Sequence, residues 1–426
     1  MKLNYRRTFF VGLAFLSICA FWQMYDNVIP LILKNTFHLG ETWTGVVMAM
    51  DNVLALMLLP LFGMLSDKLR TPLGRRTPFI LVGTVLAVIC MILLPVTDNA
   101  GSLTGFFIAL GAVLLSMGFY RSPAVALMPD LTPKPLRSKA NAVINLMGAL
   151  GGIFTLVMIS VLVPKTGRPD YMPLFLSVAA VMVVAVVALL LTIRENRMAR
   201  EAAEAWPEPE EEPVKTGEKK KLPRPVLRSL LFLLASVFLW FTAYNAVTTA
   251  FSRYAEEVWG MQGGGFASCL MVATGVAVVS YLPIGFLSSR FGRKKMILAG
   301  ILLMCAAYVS GIFFGHFSPL LYVVFGLTGV GWASINVNSY PMVVEMGSGA
   351  DVGKYTGMYY FFSMGAQVFT PIFSGVLLEH ISYRTLFPYA AVFSLLSFIT
   401  MLFVRHGDVK PQKKASVLEN FDVDDG

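Results

Sequence analysis

Charge is scarce in this chain. Asp, Glu, Lys and Arg make up only 14% of its 426 residues, too little to clothe a soluble surface. Histidine is rarer still: His38, His316, His380 and His406 all stand at or beyond the ends of apolar runs. No His/Cys/Asp cluster and no nucleotide-binding glycine loop occurs, so the reading is of a non-enzyme with no cofactor, no metal and no ATP-driven step. The four cysteines, Cys19, Cys90, Cys269 and Cys305, sit singly inside apolar stretches, which excludes a disulfide framework. Asn-x-Ser/Thr sequons are absent and the outer loops are short; both point to a bacterial inner membrane.

Apolar residue is abundant instead, at 56%. Stretches of about 20 residues, long enough to cross a bilayer, recur at roughly 8–33, 43–66, 77–95, 103–129, 140–163, 171–193, 229–252, 264–288, 296–315, 318–344, 355–378 and 384–404. The basic N-terminus with Lys2, Arg6 and Arg7 resembles a signal peptide, but its apolar run continues to Leu33 without a cleavage site and reads as the first span. With both termini cytoplasmic, the 34 Lys and Arg fall inside except Lys34, Lys165, Arg168, Arg253 and Arg384, with Arg121 in a span. The net charge of +9 is therefore a topology signal, and nucleic acid is excluded as a partner.

The chain also repeats itself. Gly63-Met-Leu-Ser-Asp67 leading to Gly74-Arg75-Arg76 returns as Gly285-Phe-Leu-Ser-Ser289 leading to Gly292-Arg293-Lys294, each copy joining two apolar runs on the same side. The expected fold is thus all-α, with twelve transmembrane helices in two parallel six-helix repeats around a central cavity. The expected divisions are an N-terminal bundle at 1–193, a linker at 194–228, a C-terminal bundle at 229–404 and a cytoplasmic tail at 405–426. Proline and charge dominate the linker, as in Trp206-Pro-Glu-Pro-Glu-Glu-Glu-Pro213, leaving nothing to bury, so it reads as solvated.

Gly-x-Leu-Ser-Asp before a basic Gly-Arg-Arg turn resembles the signature loop of the major facilitator superfamily. The longer run from Ser66 to Ile80, together with Ala126-Leu-Met-Pro-Asp130, is similar to the sucrose/proton symporters within the glycoside-pentoside-hexuronide-like branch. That resemblance implies secondary transport of a small polar solute, a sugar or glycoside, by alternating access with proton symport, by a monomer in the lipid bilayer. Two departures matter. Val125 stands where the plant symporters carry an arginine, and Leu114 where they carry the proton-taking acid, so that work is expected to pass to Arg121 and to Asp26 or Asp51. Ala55 and Leu59 precede Pro60 where melibiose-type transporters place two acids, which argues against a sodium site. Two other readings remain: an exporter of amphipathic compounds, and a non-transporting membrane sensor.

Charges inside lipid are costly and mark function. Asp26 and Asp51 count to similar depth in the outer third and can share one proton, since burial and a neighbouring carboxylate both favour the protonated form. Arg121 lies near the midplane, suited to a two-pronged contact with hydroxyls, at an axial gap of about 10 Å from the two acids. The repeat carries Arg121 onto Asn336, adding Trp332 and Tyr340 on the same helical face. Gln23, Asn141, Asn145, Tyr244, Asn245 and Gln367 complete the expected substrate site. Asp67, Arg75, Arg76 and Asp130, with Arg293 and Glu345 in the second half, form an expected cytoplasmic gate of ion pairs that breaks when the inner side opens.

Overall fold

The computed structural model describes residues 3–133, 136–164, 169–205, 223–344, 346 and 352–408. Within them lie thirteen α-helices, twelve of which are long and apolar enough to cross a membrane. The first half comprises α1 (Tyr5–Asn35), α2 (Glu41–Lys68), α3 (Thr77–Asn99), α4 (Leu103–Leu131), α5 (Arg137–Leu162) and α6 (Met172–Thr192). After a short helix α7 (Glu195–Ala205), the second half comprises α8 (Arg224–Trp259), α9 (Ala267–Phe291), α10 (Arg293–Ile312), α11 (Leu320–Val344), α12 (Val352–His380) and α13 (Leu386–Leu402). Spanning segments of this kind must satisfy every backbone group internally, which is why the apolar runs become helices. Side chains fix several ends: Asn4 Oδ1 accepts from Arg7 N at 3.1 Å and Ser102 Oγ from Gly105 N at 3.2 Å, while left-handed Gly260 terminates α8.

Packing repeats as the sequence does. In the first half α1 lies against α5 and α6, and α3 against α4 and α6. In the second, α8 lies against α12 and α13, and α10 against α11 and α13, the same pairs carried over by the repeat. The seam between halves obeys the same symmetry: α2 meets α12, α5 meets α9, and α1 meets α8. The first two contacts are images of each other, as a twofold axis between parallel repeats requires.

Glycine sets how closely the seam shuts. A Cβ on Gly45 would strike the carbonyl of Pro371, one on Gly375 would lie 3.1 Å from the carbonyl carbon of Glu41, and one on Gly264 would strike the carbonyl of Ile159. The helices therefore meet backbone to backbone.

The start of the supposed solvated linker corrects the sequence reading. Residues 195–205 form α7, docked under the first half, because Glu195 is a buried cap. Its carboxylate accepts from the N–H groups of Arg75 (2.9 Å), Arg76 (2.9 Å) and Thr77 (2.8 Å) and from the Thr77 hydroxyl (2.7 Å). Those are the unsatisfied donors at the head of α3, which attract an anion. Arg7 Nη1 ties the far end of α7 to α1 through Glu201 at 2.6 Å. Composition alone hid this, since one acid does the docking.

Candidate functional site

We call the end where α1 finishes the outer end and the end where it begins the inner end, following the charge bias of the loops. Asp26 on α1, Asp51 on α2 and Arg121 on α4 converge in the first half. Asp26 and Asp51 are electrostatic neighbours, and Arg121 lies within electrostatic range of both. A narrow cleft is lined by Asp51 and Arg121 together with Trp22, Leu58, Leu114 and Gly118. The Arg121 guanidinium sits over the Trp22 ring, 5.4 Å from the centroid. Among the described residues neither carboxylate forms an ion pair with it. Asp51 Oδ1 instead accepts from Asn52 Nδ2 at 2.7 Å, and Asn27 Nδ2 donates to the Gln23 carbonyl at 2.8 Å.

Two aromatic residues absent from the expected set belong here. Trp22 precedes Asp26 by one turn on the same face of α1, and Tyr25, 1% exposed, lies within electrostatic range of both acids. The indole N–H of Trp22 and the hydroxyl of Tyr25 are buried without a hydrogen-bond partner. Buried donors are normally paired, and leaving one unpaired costs about 1–3 kcal/mol. Helical spacing from Asp26 carried the signal for Trp22.

The second half faces this cluster with aromatic plates and amides. Tyr244 on α8 stacks on Trp332 of α11 with ring centroids 3.7 Å apart and planes 6° from parallel, and Tyr244 lies within electrostatic range of Asp26 across the seam. Asn245 Nδ2 is buried without a partner. Asn336 is exposed and lies near Tyr281 of α9. The Tyr340 hydroxyl bonds Thr356 Oγ1 at 3.0 Å, and Gln367 Nε2 donates to the Ser363 carbonyl at 3.3 Å. Asn141 and Asn145 are exposed on α5. Arg121 also lies within electrostatic range of Tyr360 on α12, which is 52% exposed.

At the inner end Arg76 binds Asp67 and the Ser66 hydroxyl, and reaches Asp130 Oδ2 through Nε at 2.8 Å; Arg75 Nη2 meets Asp130 Oδ1, also at 2.8 Å. These bonds join α2, α3 and α4 of one half. In the second half Arg293 N donates to Asp408 Oδ1 at 2.8 Å, and Glu345 lies outside the described residues.

The outer end holds a cluster that the sequence reading treated as loop charge. Glu41 of α2 accepts from Arg253 Nε of α8 at 2.6 Å and from the Tyr383 hydroxyl, with side chains only 5% and 4% exposed for Glu41 and Arg253. Arg253 Nη1 also donates to the Thr249 carbonyl at 3.0 Å. Lys34 Nζ meets Glu257 Oε1 at 2.5 Å, and Thr42 N donates to Glu379 Oε2 at 2.7 Å. Apart from the Thr249 bond within α8, each of these bonds crosses from one half to the other, so the protein is locked at its outer end. The Arg75/Arg76 cluster is fully formed in this same state. These bonds lie inside one half and join its helices to one another.

Comparison with known proteins fits this architecture. Sucrose transport protein SUC3 of Arabidopsis thaliana is 28% identical over 137 residues, covering 28% of this chain and 23% of that protein. Chloramphenicol resistance protein CraA of Acinetobacter baumannii is 27% identical over 177 residues, 40% of this chain and 42% of that one. The chain thus spans less than half the length of these relatives. Among solved structures, a POT family transporter in complex with 5-aminolevulinic acid superposes with a TM-score of 0.70 at 13% identity, covering 94% of this chain and 95% of that one. FucP, described in the outward conformation, gives 0.55 at 16% identity, covering 95% and 100%. The Major Facilitator Superfamily profile matches residues 11–281 and 268–421, and the chain belongs to that superfamily of membrane transporters.

Proposed function

We propose that this protein is a secondary active transporter that carries a small neutral polyol, a sugar or glycoside, together with protons by alternating access. The carrying observation is the meeting of Asp26, Asp51 and Arg121 inside the membrane, opposite the Tyr244–Trp332 plate and the unpaired Asn245 amide. Aromatic faces take the C–H surfaces of a sugar ring, while amide, indole and guanidinium N–H groups take its oxygens. Two acids beside one arginine supply a proton site whose charge the arginine balances. The local likeness to sucrose transport proteins supports the same cargo class. With the outer end shut, this state is read as inward-facing, with both termini in the cytoplasm and the protein acting as a monomer in the inner membrane.

Uptake of radiolabelled sucrose and methyl glucosides into proteoliposomes tests the proposal. One proton per neutral solute lets a pH step of one unit sustain at most about tenfold accumulation. Wild-type protein is expected to accumulate label when the outside is acidic. Asp26→Asn and Asp51→Asn should lose accumulation but keep downhill exchange. Equal accumulation with and without the gradient would defeat proton symport. A second reading, export, draws on the likeness to a chloramphenicol resistance protein; gradient-driven expulsion of chloramphenicol in the same vesicles would favour it.

A further inference from the structure

The pairing of Tyr244 with Trp332 is unusual in its geometry. Several aromatic neighbours in this half meet edge-on or tilted, as Phe241 meets Trp332 at 5.3 Å and 87° and Phe251 meets Phe325 at 4.7 Å and 52°, and the other stacked pairs, Phe232–Phe403, Trp259–Phe387 and Phe369–Phe373, stand 5.1–5.8 Å apart at 19–28°. Tyr244 lies flat on Trp332, at 3.7 Å and 6°. Ring quadrupoles favour offset or edge contacts over close parallel overlap, so this pair gains less from its own electrostatics than its neighbours do. Phe241 holds the Trp332 ring edge-on, and Tyr244 covers the ring face itself.

Trp332, Asn336 and Tyr340 follow one another by single turns on α11. That row is the cargo-facing stripe of the proposed site, and its indole face is the surface a sugar ring would use. The phenol of Tyr244 therefore occupies cargo space. Its surroundings offer the ring somewhere to signal. Tyr281 and Tyr308 stand near it in the second half, the Tyr308 hydroxyl being buried without a partner. Asp26 stands near it across the seam, and α1 and α8 are in contact.

We propose that Tyr244 is a lid on Trp332: cargo displaces its ring from the indole face, and the moving hydroxyl carries that event to Asp26 on the opposite half. This deepens the transport reading and rests on it. Tyr244 then acts as a positioning residue that competes with cargo and reports its arrival to the proton site. A simple cargo contact behaves in the opposite way when removed.

The test uses full-length protein in proteoliposomes, with sucrose as the probe, and Tyr244→Leu and Tyr244→Phe as variants. With the lid gone, Tyr244→Leu should lower the KM about two- to tenfold, the range set by the added stability of an aromatic pair. Tyr244→Phe keeps the flat ring but loses the hydroxyl, and should displace the pH profile of uptake, because the hydroxyl is the part of Tyr244 within electrostatic range of Asp26. A cargo-independent readout accompanies these. N-bromosuccinimide oxidation of Trp332, followed by peptide mass spectrometry, should speed up in Tyr244→Leu and stay at the wild-type rate in Tyr244→Phe. A raised KM in Tyr244→Leu, or oxidation of Trp332 at an unchanged rate, overturns the lid. An unmoved pH profile in Tyr244→Phe overturns the link to Asp26. Loss of uptake in the wild-type protein, with the oxidation difference intact, overturns the transport reading and with it the purpose of the lid.

Discussion

Replacing Glu41 by Gln should unlock the outer end. In the present state Glu41 and Arg253 face each other at 2.6 Å across the seam, almost fully shielded from water. Their attraction compensates for the loss of hydration, but removing one partner leaves the other charge buried and uncompensated. For buried pairs this costs about 3–5 kcal/mol. Opening the outer end rehydrates Arg253 and cancels that cost, so the penalty falls on the closed state alone. A bias of that size shifts the balance between the two states by a factor of about 10² to 10³ or more. Spin labels at Ala100 and His316, exposed positions in the outer loops of the two halves, would report the change by pulsed dipolar spectroscopy after the native cysteines are replaced by serine. The Glu41→Gln distance distribution should move to a long, outward-open population. The double variant Glu41→Met with Arg253→Met should return toward the wild-type distribution, because an apolar pair carries no stranded charge. An unchanged distribution in Glu41→Gln would refute the reasoning, as would a double variant that opens more widely than the single one.

Two further outcomes follow from contacts in the same structure. Glu195→Ala strips the acceptor from three backbone N–H groups at the head of α3; thermal unfolding in detergent should show a loss of about 2 kcal/mol or more, with Glu195→Gln in between. Gly45→Val puts side-chain atoms where the Pro371 carbonyl lies, so the same spin-label pair should show the outer end held apart, with packing strain of about 1–3 kcal/mol.

Much of the fold is readable from sequence because lipid leaves so few options. Each apolar run had to become a helix, and the repeated glycine and arginine loop revealed the parallel halves before any coordinate. Asp26, Asp51 and Arg121 stood out for the same reason, as charges in an apolar setting. Glu41 and Arg253 did not, because an acid or base at the end of a span reads as ordinary topology charge until the two halves are brought together. Their pairing joins residues more than two hundred positions apart and leaves no local pattern. Glu195 was missed for a related reason. Its value lies in backbone donors of a distant turn, and those carry no sequence signature. Tyr244 and Trp332 were legible as members of polar aromatic stripes, but their parallel contact was not, since side-chain geometry depends on how α8 and α11 cross.

The glycine contacts of the outer seam also bear on speed. Where two surfaces mesh through interlocking side chains, separation demands coordinated rotamer changes, and each one adds to the barrier. Gly45, Gly375 and Gly264 present bare main chain to the opposing helix, so parting these surfaces unpicks no jigsaw and disturbs few torsions. Under the proposed alternating access, these surfaces would add little friction once the buried charges let go, and the swing would wait on release of the lock.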